Sequence, residues 1–260
     1  MTPADVALIA GLPSLAFAFV LVLARTAGVV MLLPGLAETG VPKMVRAGVA
    51  GALALLLTPI VAPLVPPAPA APATAVAMIL AELLVGVWLG FLARVLVLAL
   101  PMAGQILATL LGLSSVLQPD PEMGPQTTAL ARLFALAAPA IVLASGLYAL
   151  PIEVLAGSYR LIAPGGILPS GVGAQSVARA VAVGFGLALR LCAPVLLASI
   201  VWTAAAGLLA RAAPRVHIYF LAMPAQILGG LALLAALSGA ILMAWQDAVR
   251  VGFEALPGLN

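Results

Sequence analysis

Charged side chains are scarce in this chain: Asp, Glu, Lys and Arg together make up 7% of its 260 residues. They make up about a quarter of an ordinary soluble domain. Apolar residues make up 65% of the chain, so it cannot cover a water-facing surface with polar groups. Its solvent must be largely lipid or other apolar protein. The sequence therefore predicts an all-α polytopic membrane protein, a single membrane domain over residues 1–260.

Composition also excludes several classes of function. The 11 Lys and Arg residues are spread along the whole chain and give a net charge of only +3, which excludes the clustered basic face of a nucleic-acid binder. One His and one Cys, Cys192, are too few for a zinc or iron–sulfur site or an intrachain disulfide. No phosphate-binding loop or nucleophile elbow is present. We therefore expect no enzymatic activity and no cofactor.

Prolines and glycines divide the chain into apolar segments. Two proline-rich stretches, 63–73 and 118–128, are predicted loops. Pro101 is expected to kink or break a helix that resumes to about 117. A Gly/Pro-rich connector over 159–173 is expected to be the longest irregular region. The predicted helical segments are about 15–33, 45–65, 74–99, 129–150, 175–210 and 217–245.

Four charges interrupt apolar runs that are long enough to cross a membrane: Arg25, Glu82, Arg94 and Arg190. Each costs roughly 2.5–3.5 kcal/mol at a helix centre. Glu82 and Arg94 share a segment but lie about 18 Å apart along its axis, so they cannot pair with each other. Each charge therefore needs another partner. The alternatives are a step in an ion or substrate route, a contact between helices or subunits, and snorkelling at an interface.

Two further patterns are informative. Gly86 and Gly90 form a GxxxG step, which predicts close approach of another helix. The stretch 103–132 takes an apolar helix end into a stiff, proline-rich loop with Met123 at its tip. This loop is either an ordinary surface loop or a re-entrant loop inside a pore. In the second case its apolar side chains form a hydrophobic seal, and these are Leu113, Val116, Leu117 and Met123.

Four stretches of the sequence resemble the FliR/SctT family of export-gate membrane proteins. The first, residues 23–50, is similar to the family's Leu-x-Arg and Val-Pro-x-x-Val-Lys/Arg-x-Gly pattern. Residues 103–121 are similar to its AGE…DP signature, and Arg132 follows at the expected distance. Residues 207–224 are similar to its GLL-x-R-x-AP turn. The chain departs from the family pattern at a few positions: Gln105, Leu110, His217 and Ala222.

The resemblance implies a helical, multi-subunit export gate in the bacterial inner membrane, at the base of the flagellum. Its partners would be FliP-like and FliQ-like subunits, other export-apparatus membrane proteins and unfolded secreted substrates. It also implies helical hairpins with a P-like part over about 1–174 and a Q-like hairpin over about 175–260. That hairpin turns at Arg211, Pro214 and Arg215. Such a gate has no enzymatic chemistry of its own.

The resemblance further implies a pore plug, and the intramembrane charges are expected at contacts between helices or subunits. The expected plug residues are Gly112, Leu113, Ser114, Ser115, Val116, Leu117, Gln118, Pro119, Asp120, Pro121 and Met123. The expected contact charges are Arg25, Glu82, Arg94, Arg132 and Arg190. Two rival hypotheses stay open on the sequence alone: a secondary transporter of an ion or small anion, and a purely structural membrane scaffold.

Overall fold

Seven α-helices account for most of the part of the chain that the structure describes. The structure is a computed structural model, and it describes residues 3–113, 128–212 and 218–259, with side chains from 12 onward and without those of 218–221. The helices are α1 (Pro3–Leu32), α2 (Lys43–Val61), α3 (Pro72–Leu110), α4 (Ala129–Ala144), α5 (Ala149–Leu161), α6 (Ser170–Ala212) and α7 (Ile218–Glu254). A short 3-10 helix, Ala62–Leu64, follows α2. No strand occurs in the described ranges, so the predicted all-α fold is confirmed.

Five of these helices are long and apolar enough to cross a membrane, namely α1, α2, α3, α6 and α7. Helices α4 and α5 are separated by a short break at which the chain bends by 70°. If the two together form one membrane span, the number of candidate spans rises to six. The chain is therefore a polytopic membrane protein.

Several boundaries differ from those predicted from the sequence. Helix α1 begins at Pro3, where a start near 15 was expected, and α7 continues to Glu254, where an end near 245 was expected. Helix α3 continues through Pro101 and ends at Leu110, where a break and an end near 117 were expected. Transmembrane helices tolerate proline where neighbouring elements pack around it, and the flanking Leu100 and Ala103 are fully buried. The predicted segment 129–150 is instead two helices, since Gly146 has a φ of 76°, which ends α4. The predicted connector 159–173 is shorter, because α5 extends to Leu161 and α6 begins at Ser170.

The described helices form two compact units, and each is discontinuous in sequence. The first unit comprises Met1–Val95, Val142–Val181 and Val251–Asn260. Its core includes Leu21, Val85, Leu155 and Phe253, all fully buried. The second unit comprises Leu96–Ile141 and Ala182–Arg250. Leu100, Leu107 and Trp245 are fully buried in it. The division at 174/175 into P-like and Q-like parts stays a prediction.

Glycines bring the backbones of α1 and α3 together inside the first unit. A Cβ atom on Gly28 would lie 2.7 Å from the Leu83 carbonyl oxygen, and one on Gly86 would collide with the Arg25 carbonyl oxygen. At Gly90 the added atom would lie 2.9 Å from the Val29 carbonyl oxygen. Gly86 and Gly90 thus lie against another helix, and that helix is α1 of the same chain.

Helices α6 and α7 are covered far less by the rest of the chain than α3 is. In the most apolar stretch of α3, 61% of the residues are buried, against 28% in α6 and 11% in α7. Each of the two C-terminal helices therefore buries only a narrow strip. The remaining apolar surface must contact lipid or other proteins.

Replacing Gly86 with Leu is expected to destabilise the chain by about 3 kcal/mol or more, at the upper end of overpacking costs, because a side chain there meets backbone atoms. Gly48→Leu on α2 is the matched control, since an added Cβ there meets nothing within 4 Å. Thermal unfolding of the detergent-purified chain, followed by size-exclusion chromatography, measures both variants. Equal unfolding temperatures for the two would contradict the close contact between α1 and α3.

Candidate functional site

The most deeply buried charges of the described chain are Arg25 on α1 and Glu82 on α3, and they form one ion pair. Arg25 Nε donates to Glu82 Oε2 at 2.7 Å, and Arg25 Nη2 donates to Glu82 Oε1 at 2.9 Å. Both side chains have no solvent exposure. This two-pronged geometry matches the planar guanidinium to the planar carboxylate, the strongest arrangement for such a pair.

Helix α5 and the connector after it supply further contacts to the pair. Arg25 Nη1 donates to Ser158 Oγ at 3.1 Å, and Arg25 Nη2 donates to the Ile162 carbonyl oxygen at 3.0 Å. The Gly165 backbone N–H donates to Glu82 Oε1 at 2.7 Å. The guanidinium carbon of Arg25 lies 4.1 Å from the centre of the Tyr159 ring, which is a cation–π distance. Helices α1, α3 and α5 and the connector after α5 therefore meet at this one charge pair.

The C-terminal segment supports α5 on the side of Ser158. A Cβ on Gly157 would collide with the Gly258 carbonyl oxygen, so the two backbones touch. Gly258 has a φ of 118°, and a Cβ there would lie 2.7 Å from the Val154 carbonyl oxygen. Only glycine combines this left-handed conformation with such a close approach. The last residues of the chain thus pack beside the ion pair.

The ion pair is chemically satisfied by the chain itself. Arg25 makes four hydrogen bonds with its five N–H groups, and both oxygens of Glu82 accept at least one bond. With no exposed surface, neither group can reach a passing ion. Of the three alternatives for these two residues, the geometry supports a contact between helices.

The other predicted charges occupy different surroundings. Arg94 on α3 is half-buried, and Arg132 on α4 and Arg190 on α6 are exposed. None of these three forms an ion pair with another described residue. Arg211 lies exposed in the last turn of α6. Pro214 and Arg215, which complete the predicted hairpin turn, lie outside the described residues.

Most of the predicted plug also lies outside the described residues: Ser114, Ser115, Val116, Leu117, Gln118, Pro119, Asp120, Pro121 and Met123. Gly112 and Leu113 are described and follow directly on α3. Gly112 has a φ of 72°, a left-handed conformation that favours glycine and takes the chain out of the helix.

Two glutamines hold the residues on either side of this loop, within the second unit. Gln226 on α7 donates from Nε2 to the Leu110 carbonyl oxygen at 3.1 Å, which satisfies a free carbonyl at the end of α3. On the far side, Gln105 Oε1 accepts from the backbone N–H of Thr128 at 3.2 Å and from its hydroxyl at 3.1 Å. The Thr128 hydroxyl in turn accepts the Ala131 N–H at 3.3 Å and caps α4. The residue after the loop is therefore fixed to α3, and the end of α3 before the loop is fixed to α7.

A cavity of about 240 Å³ lies beside the loop's first residues, between the end of α3 and helices α6 and α7. Its walls are apolar except for a few polar atoms, and they include Leu110, Leu111, Val195, Trp202 and Gly230. Ser199 and Gln226 also line the cavity. No cluster of three His, Cys, Asp or Glu residues suited to a metal ion occurs in the described ranges.

The sequence singled out Arg25 and Glu82 but not the residues that complete the site. Ser158 and Tyr159 lie on a short helix without any motif that marks them. Gly165 belongs to a Pro-Gly-Gly turn and has a φ of 78°. That turn signal was visible, but nothing local shows that its N–H binds Glu82.

Replacing Arg25 with Leu should destabilise the chain by about 3–5 kcal/mol, because it leaves the Glu82 carboxylate buried without its partner. The double variant Arg25→Leu/Glu82→Leu should be less destabilised than the sum of the two single variants. Arg94→Leu, at a position with no ion pair among the described residues, serves as the control and should have a small effect. Thermal unfolding in detergent gives all four values. Additive losses would show that the two charges are not coupled.

Comparison with known proteins agrees with the motifs in the sequence. The model of the family "Bacterial export proteins, family 1" matches residues 16–251. The flagellar biosynthetic protein FliR of Caulobacter vibrioides is 31% identical over 230 residues, which cover 88% of this chain and 92% of that protein. The FliR protein of Escherichia coli K12 is 28% identical over 217 residues, covering 83% and 82%. The chain therefore belongs to the bacterial export proteins of family 1, the FliR/SctT family that its sequence motifs indicated.

Proposed function

We propose that this protein is a subunit of the export gate of the flagellar type III secretion apparatus, in the bacterial inner membrane. It would form part of the channel through which unfolded proteins leave the cytoplasm. The observation that carries this proposal is the family match, which runs from within α1 to within α7. Both relatives described above are named as flagellar biosynthetic proteins.

The structure of the single chain supports assembly with other subunits. The two C-terminal helices, α6 and α7, leave most of their apolar residues exposed in the isolated chain. Helix α6 has 43 residues and is about 64 Å long, twice the hydrocarbon thickness of a bilayer. Lipid alone therefore cannot cover it. FliP-like and FliQ-like subunits of a helical gate are the partners that we propose for this surface.

A secondary transporter, the alternative left open by the sequence, is not supported. The family match gives it no basis. The buried charges that would serve an ion route, Arg25 and Glu82, bind each other and have no solvent exposure. The proposed role is therefore conduction of a polypeptide without chemistry of the subunit's own, driven by other components of the apparatus.

We further propose that the loop over residues 112–124 closes the channel. Its fixed ends support this role, because Gln226 on α7 binds Leu110 at the end of α3 and Gln105 on α3 binds Thr128. A loop held at both ends loses less entropy when it closes a path than a free one does. Its apolar residues, Leu113, Val116, Leu117 and Met123, suit a seal that works by excluding water.

The gene should be required for export in its host. We expect a deletion strain to be non-motile and to retain flagellar proteins in the cytoplasm. The wild-type gene should restore swimming in soft agar and secretion into the medium. A tagged copy purified in mild detergent should bring down other small hydrophobic membrane proteins in a discrete complex. Normal secretion by the deletion strain, or a lone chain in detergent, would reject the proposed function.

Shortening the loop across Leu117–Met123 should raise ion leakage through the assembled gate, because it removes apolar bulk from the seal. Assembly should survive, since the contacts of Leu110 and Thr128 remain. Asp120→Ala should change leakage less, because one carboxylate adds little to a hydrophobic seal. Conductance in planar bilayers measures all three proteins. If the shortened loop leaves the channel as tight as the wild type, the loop is not the seal.

A further inference from the structure

The chain between α2 and α3 contains an extended proline segment, residues 65–71, with the sequence Val-Pro-Pro-Ala-Pro-Ala-Ala. No residue from 66 to 69 belongs to a helix, a strand or a turn. Val65 has a φ of −78° and a ψ of 128°, close to the values of a polyproline II helix. A proline fixes its own φ and also holds the residue before it in the extended region. Every residue from 65 to 69 is a proline or precedes one, so the polyproline II conformation is built into this sequence.

The prolines in this segment repeat at the period of the polyproline II helix. That helix has three residues per turn and rises 3.1 Å per residue. The dipeptides Val65-Pro66 and Ala68-Pro69 therefore lie on the same side of it, one turn and about 9 Å apart. Pro67 lies between them on the neighbouring side. Prolines three positions apart form the PxxP pattern that folded domains recognise in other proteins.

The proline segment is accessible, and its backbone carbonyls have no partner within the described chain. Residues 66–68 are exposed, and Val65 and Pro69 are partly covered. The carbonyl oxygens of residues 65–70 accept no hydrogen bond from a described residue. Proline rings and free acceptors are therefore offered together along one short stretch.

The flanking helices hold both ends of the proline segment. The Val65 N–H donates to the Ala62 carbonyl oxygen at 3.2 Å. At the other end, the Ala71 carbonyl oxygen accepts the N–H groups of Thr74 at 3.1 Å and Ala75 at 3.3 Å, in the first turn of α3. A ligand that already has its bound conformation loses little entropy when it binds. The segment is thus a stiff, preformed ligand and not a flexible linker.

We propose that the proline segment docks into a folded protein domain whose groove is lined by aromatic side chains. Aromatic rings pack against the proline rings, and the N–H of a Trp or the O–H of a Tyr donates to the free carbonyls. No charged residue occurs from 47 to 81, so this recognition uses apolar contacts and hydrogen bonds without ion pairs. The inference goes beyond the export function, because it concerns a partner at this segment and not the channel.

Photo-crosslinking of the full chain in its host cells tests the proposal. The photoreactive amino acid benzoylphenylalanine replaces Ala68, which is exposed within the segment. The matched position is Ala52, which is exposed on α2 outside the segment. Mass spectrometry of the crosslinked peptides identifies the partner and the residues that are contacted. The adduct is scored whether or not the cells export protein, so the result does not depend on the proposed function.

The expected adduct at position 68 joins the segment to a folded domain, in a groove that contains at least two aromatic side chains. Its yield in isolated membranes should be the same at low and at high salt, because salt screens only contacts between charges. A yield that falls at high salt would overturn the proposal. Adducts only with lipid, with an exported protein or with a second copy of this chain would overturn it as well, and so would the absence of any adduct.

Substitution of the prolines tests whether they are what the partner recognises. The triple variant Pro66→Ser/Pro67→Ser/Pro69→Ser loses the rings and the fixed φ values, so the adduct at position 68 should fall by about tenfold or more. Pro59→Ser, at an exposed proline inside α2, is the control and should leave this adduct unchanged. Equal crosslinking at the matched position on α2 shows that the triple variant still folds. An unchanged adduct at position 68 in the triple variant would overturn the proposal.

Discussion

The ion pair between Arg25 and Glu82 is the interaction on which the first unit depends. A single charge inside an apolar protein is costly, but a pair with complete hydrogen bonding removes much of that cost. Its formation requires α1 and α3 to lie very close, and glycine provides the space. Gly86, one turn after Glu82, lies directly against the backbone of Arg25. The charges and the small residues are therefore two parts of one contact.

The second unit is held much less by contacts within the chain. Its helices α6 and α7 bury little of their surface, although Trp245 and Cys192 are fully buried along their inner strip. Lipid is as apolar as leucine, so burial of apolar side chains adds little drive for helix association in a membrane. Helices α6 and α7 are accordingly held by few contacts within the chain, whereas the first unit is held by its own polar contacts.

Local features of the sequence predicted the helices and the need for charge partners, but not the pairing. The scarcity of charges marked Arg25 and Glu82, and the GxxxG step marked Gly86. That these residues meet depends on how α1, α3 and α5 pack, over a separation of 57 positions between the two charges. The bend between α4 and α5 was missed because the apolar pattern runs on through Gly146. Ser158, Tyr159 and Gly165 carry no local signal for their partner, since only tertiary packing brings them to it.

The packing of Gly258 against Gly157 has a consequence for the order in which the protein is built. Arg25 and Glu82 leave the ribosome early, but Gly258, which packs beside Ser158, is synthesised only after α6 and α7. At 5–20 residues per second, about 10–35 s separate the synthesis of Glu82 from that of Gly258. During this interval α5 lacks its backbone contact with Gly258. A nascent chain that stops before Gly258 therefore lacks this contact with α5, so the packing of the first unit is completed only after α6 and α7 have been synthesised.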